Sequence, residues 1–165
     1  MTLNQLGDRY WQEYLRLNPL AATLYGYRDA DAELPPPTEE SEDETVRTMR
    51  DIIRRAEALD PVTLDTQDRI TRAMLIDEAG KLVLGATERL EEMNIGPLTG
   101  PHTALLQAAS QTTVTGETQA QDILSRYRKI PAFLGVYANR HRTGVKKGRV
   151  TTATNVKHVI DQIEG

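Results

Sequence analysis

The sequence contains no cysteine, and it has only one phenylalanine and one tryptophan among its 165 residues. Without cysteine the chain can form no disulfide, no thiolate metal site and no cysteine nucleophile. It also lacks an apolar run of about 18 residues, so no segment is predicted to span a membrane and no membrane partner is expected. The first residues show neither the basic region nor the apolar core of a secretory signal. We therefore expect a cytoplasmic protein.

Strand patterns are absent as well. No segment alternates between apolar and polar residues over five positions, as a half-buried strand does. Instead, apolar residues recur at spacings of three and four, for example at Leu3, Leu6, Tyr10 and Tyr14. This spacing predicts an all-α fold, an antiparallel bundle of about six to seven helices without a sheet. The length predicts a single helical domain over residues 1–165.

Capping and breaking residues predict where the helices begin and end. Asn18-Pro19 ends the first helix and caps a short second one. Residues 41–44, Ser-Glu-Asp-Glu, form a capping box that predicts the start of a longer helix. Another helix is expected from about residue 65 to Met93, and Pro131 is expected to break or kink a later one. Gly148 fits the position just after a helix end.

Three large side chains are expected in the core because of their helical spacing. Ile70 and Met74 belong to the apolar stripe of the helix that begins near residue 65. Trp11 is expected to be a core residue, rather than part of a ligand cleft, because the chain has few other aromatic residues to line one.

Charge is unevenly distributed along the chain. Residues 29–44 contain 8 acidic and no basic residues, whereas residues 126–160 contain 9 basic and no acidic ones. The asymmetry indicates either an anionic partner, or two segments that face each other, or a basic surface made for another part of the protein. Residues 27–40, with three consecutive prolines, are expected to form an acidic, proline-rich loop.

Five basic residues in the second region are candidates for anion binding. They are Arg140, Arg142, Lys146, Lys147 and Arg149. Few aromatic residues lie among them, and no nucleic-acid motif is present, so the sequence does not favour a nucleic-acid partner.

No catalytic or metal-binding constellation is visible. The histidines at positions 102, 141 and 158 do not form a metal-ligand pattern. The adjacent acid pairs, including Glu91-Glu92, are typical of solvated helix faces. No serine lies in a Gly-x-Ser-x-Gly elbow, and no nucleotide-binding glycine loop occurs. The sequence therefore predicts no catalytic residue, no metal ligand and no cofactor in this chain.

Several segments resemble the bacterial domain-of-unknown-function 885 family in order and spacing. Residues 10–26 have an aromatic pair, then Leu, Asn-Pro, Ala-Thr and a closing Gly, like the family's opening segment. Residues 64–69 resemble its Leu-Ser-x-x-Asp-Arg helix start, and residues 124–131 its Leu-x-Arg segment before a proline. Residues 144–148 resemble its Gly-x-x-x-Gly turn. Together these segments extend over the whole chain.

The resemblance implies an all-helical fold similar to zinc carboxypeptidases and related metallopeptidases. It also implies that the metal motif of the His-Glu-x-x-His kind lies in a C-terminal half, so no family ligand or catalytic residue maps onto this chain. We therefore expect residues 1–165 to be the N-terminal segment of a larger helical, peptidase-like hydrolase, inactive alone. Whether the chain itself is an enzyme stays open, because it carries no catalytic motif.

Two functions follow from these observations. In the first, the chain packs against the missing C-terminal helical half, or self-associates, through apolar faces of its later helices. The residues expected there are Phe133, Leu134, Val136, Val156, Val159 and Ile160. In the second, the chain is a stand-alone helical interaction module that binds an anionic partner through its basic C-terminal region.

Overall fold

The computed structural model describes residues 1–164, which form seven α-helices and no strand. The helices are α1 (Leu3–Leu17), α2 (Pro19–Leu24), α3 (Glu39–Glu57), α4 (Thr66–Thr87), α5 (Pro101–Gln111), α6 (Glu117–Lys146) and α7 (Ala153–Glu164). About three quarters of the chain, 76%, is helical. The predicted all-α fold of six to seven helices is confirmed. None of the described helices is long and apolar enough to cross a membrane.

The contacts divide the chain into two compact units. Unit 1 contains residues 1–15 and 38–89, and unit 2 contains residues 16–37 and the chain from residue 90 onward. Each unit is therefore built from two separate stretches of sequence. The single-domain organisation expected from the sequence stays a prediction.

Unit 1 is held together by α3 and α4, with the start of α1 packed on them. Its buried core consists of Leu3, Leu6, Met49, Ile52, Ala56, Leu75 and Ala79. The small side chains Ala56 and Ala79 allow the helix backbones to approach closely. On α4 the buried residues are spaced by four and seven, at Leu75, Ala79 and Ala86.

The prediction that Ile70, Met74 and Trp11 lie in the core is wrong. Their exposed fractions are 49%, 61% and 38%, respectively. The buried stripe of α4 lies one residue further round the helix, at Leu75, Ala79 and Ala86. Trp11 instead stacks on Tyr14 along the surface of α1, with ring centroids 5.3 Å apart.

Helix α3 begins earlier than the capping box predicted. Thr38 is the N-cap, and its Oγ1 accepts a hydrogen bond from the amide of Ser41 at 3.2 Å. Ser41 lies inside the helix and is buried, so its assignment as the cap was wrong. The new boundary places Glu39 and Glu40 in the first helical turn, where the helix dipole favours negative charge. The last two residues of the predicted loop therefore belong to α3.

Helix α4 ends at Thr87, short of the predicted Met93. Arg89 just beyond it has a φ of 54°, a left-handed conformation more typical of glycine. Its guanidinium donates to Glu42 at 2.7 Å and to Asp43 at 2.6 Å. The Arg89 side chain therefore connects the end of α4 to the first turns of α3.

Helix α6, in unit 2, continues through Pro131 without a break. Of the predicted break or kink at Pro131, the break is therefore wrong. Pro131 is exposed, and so is Tyr127, whose carbonyl loses its amide partner because proline has none. Water can solvate that carbonyl on the exposed side. The opposite side of α6 buries Ile123, Arg126 and Phe133 together with Tyr137, Arg140 and Gly144.

Basic residues of α6 hold the loop that precedes α3. Lys129 Nζ donates to the carbonyl of Ala32 at 2.9 Å and pairs with Glu33 at 3.2 Å. Buried Arg126 donates to the carbonyl of Ala30 at 2.5 Å, and Arg140 reaches the carbonyl of Pro37 at 3.4 Å. Part of the charge asymmetry thus reflects two segments of unit 2 that face each other.

The apolar surface expected on the later helices is only partly exposed. Phe133 and Val159 are buried inside unit 2, so their assignment to an outer face is wrong. The other four predicted residues, Leu134, Val136, Val156 and Ile160, are exposed. On α7, Ile163 extends this face at the same helical spacing.

Candidate functional site

A groove lined mainly by apolar residues lies between α2 and α5 in unit 2. It consists of two adjoining cavities of about 240 and 290 Å³. The two cavities share Asn18, Leu20, Pro35 and Ala104 as lining residues. Their other walls are mainly apolar, from Leu17, Pro101 and Phe133 in the first and from Ala21, Leu24 and Ala108 in the second.

One end of this groove is polar. There the Glu91 carboxylate accepts two hydrogen bonds at Oε2, from the Tyr137 hydroxyl at 2.9 Å and from Asn94 Nδ2 at 3.2 Å. Tyr137 is oriented by Phe133, one helical turn earlier, with the ring centroids 5.0 Å apart and an edge-to-face geometry. An apolar groove with a fixed carboxylate at one end resembles the usual small-molecule binding site, which is mainly apolar and has a few fixed polar groups.

The sequence places these groups through two local features. Phe133 and Tyr137 are four residues apart on α6, so they share one helix face. A short 3-10 turn at Leu90–Glu92 sends consecutive acids to different places. Glu91 lines the groove, whereas Glu92 is buried. The interpretation of this pair as a solvated helix face is wrong, because the turn separates the two side chains.

Buried Glu92 pairs with two of the five candidate anion-binding residues. Arg149 donates to Glu92 Oε2 through Nε at 3.0 Å and through a shorter Nη2 contact, and Arg140 Nη2 lies 3.7 Å from Oε1. Gly144 packs against the backbones of Glu92 and Arg149. A Cβ added there would lie 2.5 Å from the Glu92 carbonyl oxygen and 3.0 Å from that of Arg149.

The other three candidates lie near the end of α6 and are exposed. Arg142 donates to Asn139 Oδ1 at 2.7 Å within the helix. Lys146 and Lys147 form no ion pair with a carboxylate of residues 1–164. The structure thus brings Arg140 and Arg149 together on Glu92 and leaves Arg142, Lys146 and Lys147 at the surface. Anion binding by the five stays a prediction.

His141 lies next to this region, one helical turn after Tyr137. Burial lowers the pKa of His141 from its usual value of 6.5, and a backbone hydrogen bond with Glu91 opposes that effect. The neighbouring Arg140 lowers the pKa further. The imidazole is therefore neutral at pH 7.

The stability of the fold is expected to fall as the pH drops below about 6.5, through His141. In that range the unfolded chain binds a proton at this residue and the folded chain does not, so the free energy of unfolding decreases. His141→Gln should make the urea midpoint less dependent on pH between about pH 7.5 and 5. His158→Gln, at an exposed position of α7, is the control. Equal pH dependence in His141→Gln and the native chain would contradict the assignment.

Few of these groups are suited to acid–base or metal chemistry. Across residues 1–164, no three side chains of His, Cys, Asp or Glu lie close enough to hold a metal ion. Within the groove, the Tyr137 hydroxyl donates to a carboxylate instead of facing a nucleophile. The arrangement can therefore bind and orient a molecule by apolar contact and through Glu91. Apart from the helical spacing of Phe133 and Tyr137, no sequence pattern indicates this groove.

Comparison with known proteins agrees with the resemblance of the sequence. A family model described as "Bacterial protein of unknown function (DUF885)" matches residues 19–165, which is most of the chain. No match is found among curated proteins or among solved structures. Apart from Leu17 and Asn18, the lining residues of the groove lie within the matched residues, and so do its polar end and the Glu92 cluster. The chain therefore belongs to the DUF885 family of bacterial proteins.

Proposed function

We propose that the chain is the non-catalytic, peptide-binding helical part of a peptidase-like hydrolase, and that its groove binds an apolar stretch of polypeptide. The groove between α2 and α5, with its polar end at Glu91, carries this proposal. The peptidase-like part of the proposal rests on what the sequence resemblance implies, because the family model that matches residues 19–165 describes no function.

The chemistry of the groove suits an extended peptide. Leu20, Pro35 and Phe133 offer apolar walls, and burial of apolar surface contributes about 25 cal/mol per Å². An ionised carboxylate has about four acceptor positions, of which Tyr137 and Asn94 use two at one oxygen of Glu91. Glu91 can therefore still accept a backbone N–H from a bound chain.

The side chains that could serve as zinc ligands support a binding role over a catalytic one. Zinc catalysis needs about three protein ligands, an open coordination position and a base near the bound water. The chain has no cysteine, and its histidines lie on three different helices, α5, α6 and α7. His102 contacts Gln162, whereas the His141 ring packs beside Tyr137.

The first test is binding and turnover of a blocked, fluorescently labelled leucine–alanine pentapeptide by the purified chain. We expect saturable binding, no hydrolysis product and no zinc retained after dialysis. Ala104 lines both cavities and is exposed, so Ala104→Leu should fill the groove and weaken binding about tenfold or more. Ala109→Leu, on the same helix but not lining the groove, is the matched control.

Two outcomes would contradict the proposal. Chelator-sensitive cleavage of the peptide would show that the chain is itself catalytic. Equal peptide affinity in Ala104→Leu and the native chain would show that the peptide does not bind in the groove.

The exposed face of α7, with Val156, Ile160 and Ile163, is a second surface that supports packing against further helices or another copy.

A stand-alone module that binds an anionic partner is the second candidate function. It is supported by the exposed Lys146 and Lys147, which pair with no carboxylate among residues 1–164, and by the neighbouring Arg142. Binding through these residues would weaken steeply with added salt, because each charge contact releases counterions or is screened. Binding in the groove would depend little on salt, so a salt series of the same titration separates the two functions.

A further inference from the structure

A second pocket in unit 2 lies where α6 begins. Its volume is about 280 Å³, and its lining comes from the first residues of α6 and from the turn at residues 28–31. It shares no lining residue with the groove between α2 and α5. All of its lining residues except Gly116 have polar or charged side chains, which distinguishes it from the groove.

Two buried polar side chains of this pocket have hydrogen-bonding groups without a partner. Asp31 is 1% exposed, and neither oxygen of its carboxylate accepts a hydrogen bond from residues 1–164. Gln119 is 7% exposed, and its Nε2 donates to none of those residues. The Gln119 Oε1 is occupied, because it accepts from the amide and hydroxyl of Thr115 at 2.8 and 3.0 Å. Leaving such buried groups without a hydrogen-bond partner is energetically unfavourable.

The buried charge of Asp31 is not satisfied by hydrogen bonds from its cationic neighbours. Arg28 Nη1 lies 3.6 Å from Asp31 Oδ2, and about half of the Arg28 side chain is exposed. Arg126 is also nearby, and the field of Asp31 acts on it. However, the Nη2 of Arg126 donates to Thr23 Oγ1 and to the Ala30 carbonyl. The Asp31 carboxylate thus keeps its acceptor positions for another group.

The start of α6 adds donors on the same pocket. Gly116 is the N-cap and carries no side chain that could accept from the first amides of the helix. Those amides have no acceptor within the helix, and the helix dipole gives this end a partial positive charge. Glu117 and Asp122 also line the pocket, so its three carboxylates outnumber the single guanidinium of Arg28.

We propose that this pocket binds a small α-amino acid as its zwitterion. The ammonium group replaces Arg28 at the Asp31 carboxylate, and the ligand carboxylate accepts from Gln119 Nε2 and the first amides of α6. A pocket that presents both an unpaired buried acceptor and an unpaired buried donor suits a ligand whose ammonium and carboxylate groups are bonded to the same carbon. The volume, below the roughly 300–1,000 Å³ of drug-sized sites, restricts the ligand to small side chains.

The test is a calorimetric titration of the full chain with glycine and L-alanine, alongside two analogues that each lack one charge. We expect saturable binding of both amino acids in the micromolar to millimolar range. N-acetylglycine has no ammonium group and glycinamide has no carboxylate, so each should bind at least about tenfold more weakly. Absence of binding throughout the millimolar range, or equal binding of the analogues, would overturn the proposal.

Variants of the two buried residues locate the site. Asp31→Asn removes the charge and keeps the shape, and Gln119→Glu keeps the oxygen that caps Thr115 while it replaces the donor. Each should weaken glycine binding at least about tenfold. Asp161→Asn, at an exposed position of α7, should bind like the native chain. If Asp31→Asn does not fold, Gln119→Glu decides the question, and native affinity in that variant overturns the proposal. Peptide binding in the groove is measured separately, so either proposal can fail alone.

Discussion

Gly144→Ala is expected to destabilise the protein by about 2–3 kcal/mol, because the added methyl has no room. Its Cβ would lie 2.5 Å from the Glu92 carbonyl oxygen, 2.9 Å from the Glu92 Cβ and 3.0 Å from the Arg149 carbonyl oxygen. All three atoms are backbone or close to it, so none can rotate away as the end of a long side chain would. The midpoint of urea unfolding, followed by circular dichroism, measures the effect.

Gly135→Ala in the same helix is the matched control, with the opposite sign. Nothing lies within 4 Å of a Cβ at Gly135, and the residue is exposed within α6. Alanine should stabilise a helix interior by up to about 1 kcal/mol relative to glycine. A Gly144→Ala variant as stable as Gly135→Ala would show that α6 does not pack against residues 92 and 149 as described.

Glu92→Gln should destabilise the protein by about 3–5 kcal/mol, the usual cost of leaving a buried charge unpaired. Glutamine keeps the shape of the side chain but removes the negative charge that Arg140 and Arg149 share. Arg140 is itself buried and cannot recover its solvation by a small movement. The loss should therefore appear in urea unfolding at neutral pH.

Glu88→Gln removes the same charge from an exposed position and serves as the control. Its effect should stay within about 0.5 kcal/mol, as is usual for surface substitutions. A Glu92→Gln variant as stable as this control would mean that the buried cluster contributes no net stability. Adding Arg149→Met to Glu92→Gln should recover part of the loss, since one of the two cations that lose the charge of Glu92 is then removed.

The helical architecture followed from local sequence patterns. Asn18-Pro19 ends one helix and begins the next, and Gly148 has a φ of 75° just after the end of α6, as its position predicted. These features depend on interactions within a few residues of the chain. For that reason a single sequence is sufficient to place them.

The functional groups could not be placed in the same way, because their partners are distant in sequence. The buried Glu92 accepts a hydrogen bond from Arg149, 57 residues later in the chain. The buried Arg126 donates one to Thr23, 103 residues earlier. In the sequence each appears as an ordinary surface charge. Burial of such residues is decided by tertiary pairing, which neither composition nor periodicity contains.

The predicted start of α3 was wrong because two local capping signals compete there. Residues 41–44 have the pattern of a capping box, but Thr38 three residues earlier also has a hydroxyl suited to capping. The earlier cap adds a helical turn whose acidic residues interact favourably with the helix dipole. Both caps satisfy the local rules, and the longer helix is the one that the chain adopts.

The division of each unit into two stretches of sequence has a consequence for synthesis on the ribosome. All residues of unit 1 have been made once Arg89 is added, whereas residues 16–37 belong to a unit whose remainder begins at residue 90. At about 5–20 residues per second, the 76 residues from 90 to 165 take roughly 4–15 s to translate. Until α6 has been made, α2 and the loop after it lack the Arg126 side chain that donates to Thr23 and to the Ala30 carbonyl. The nascent chain therefore carries an unassembled segment between two stretches that are ready to fold, a period in which chaperones can bind.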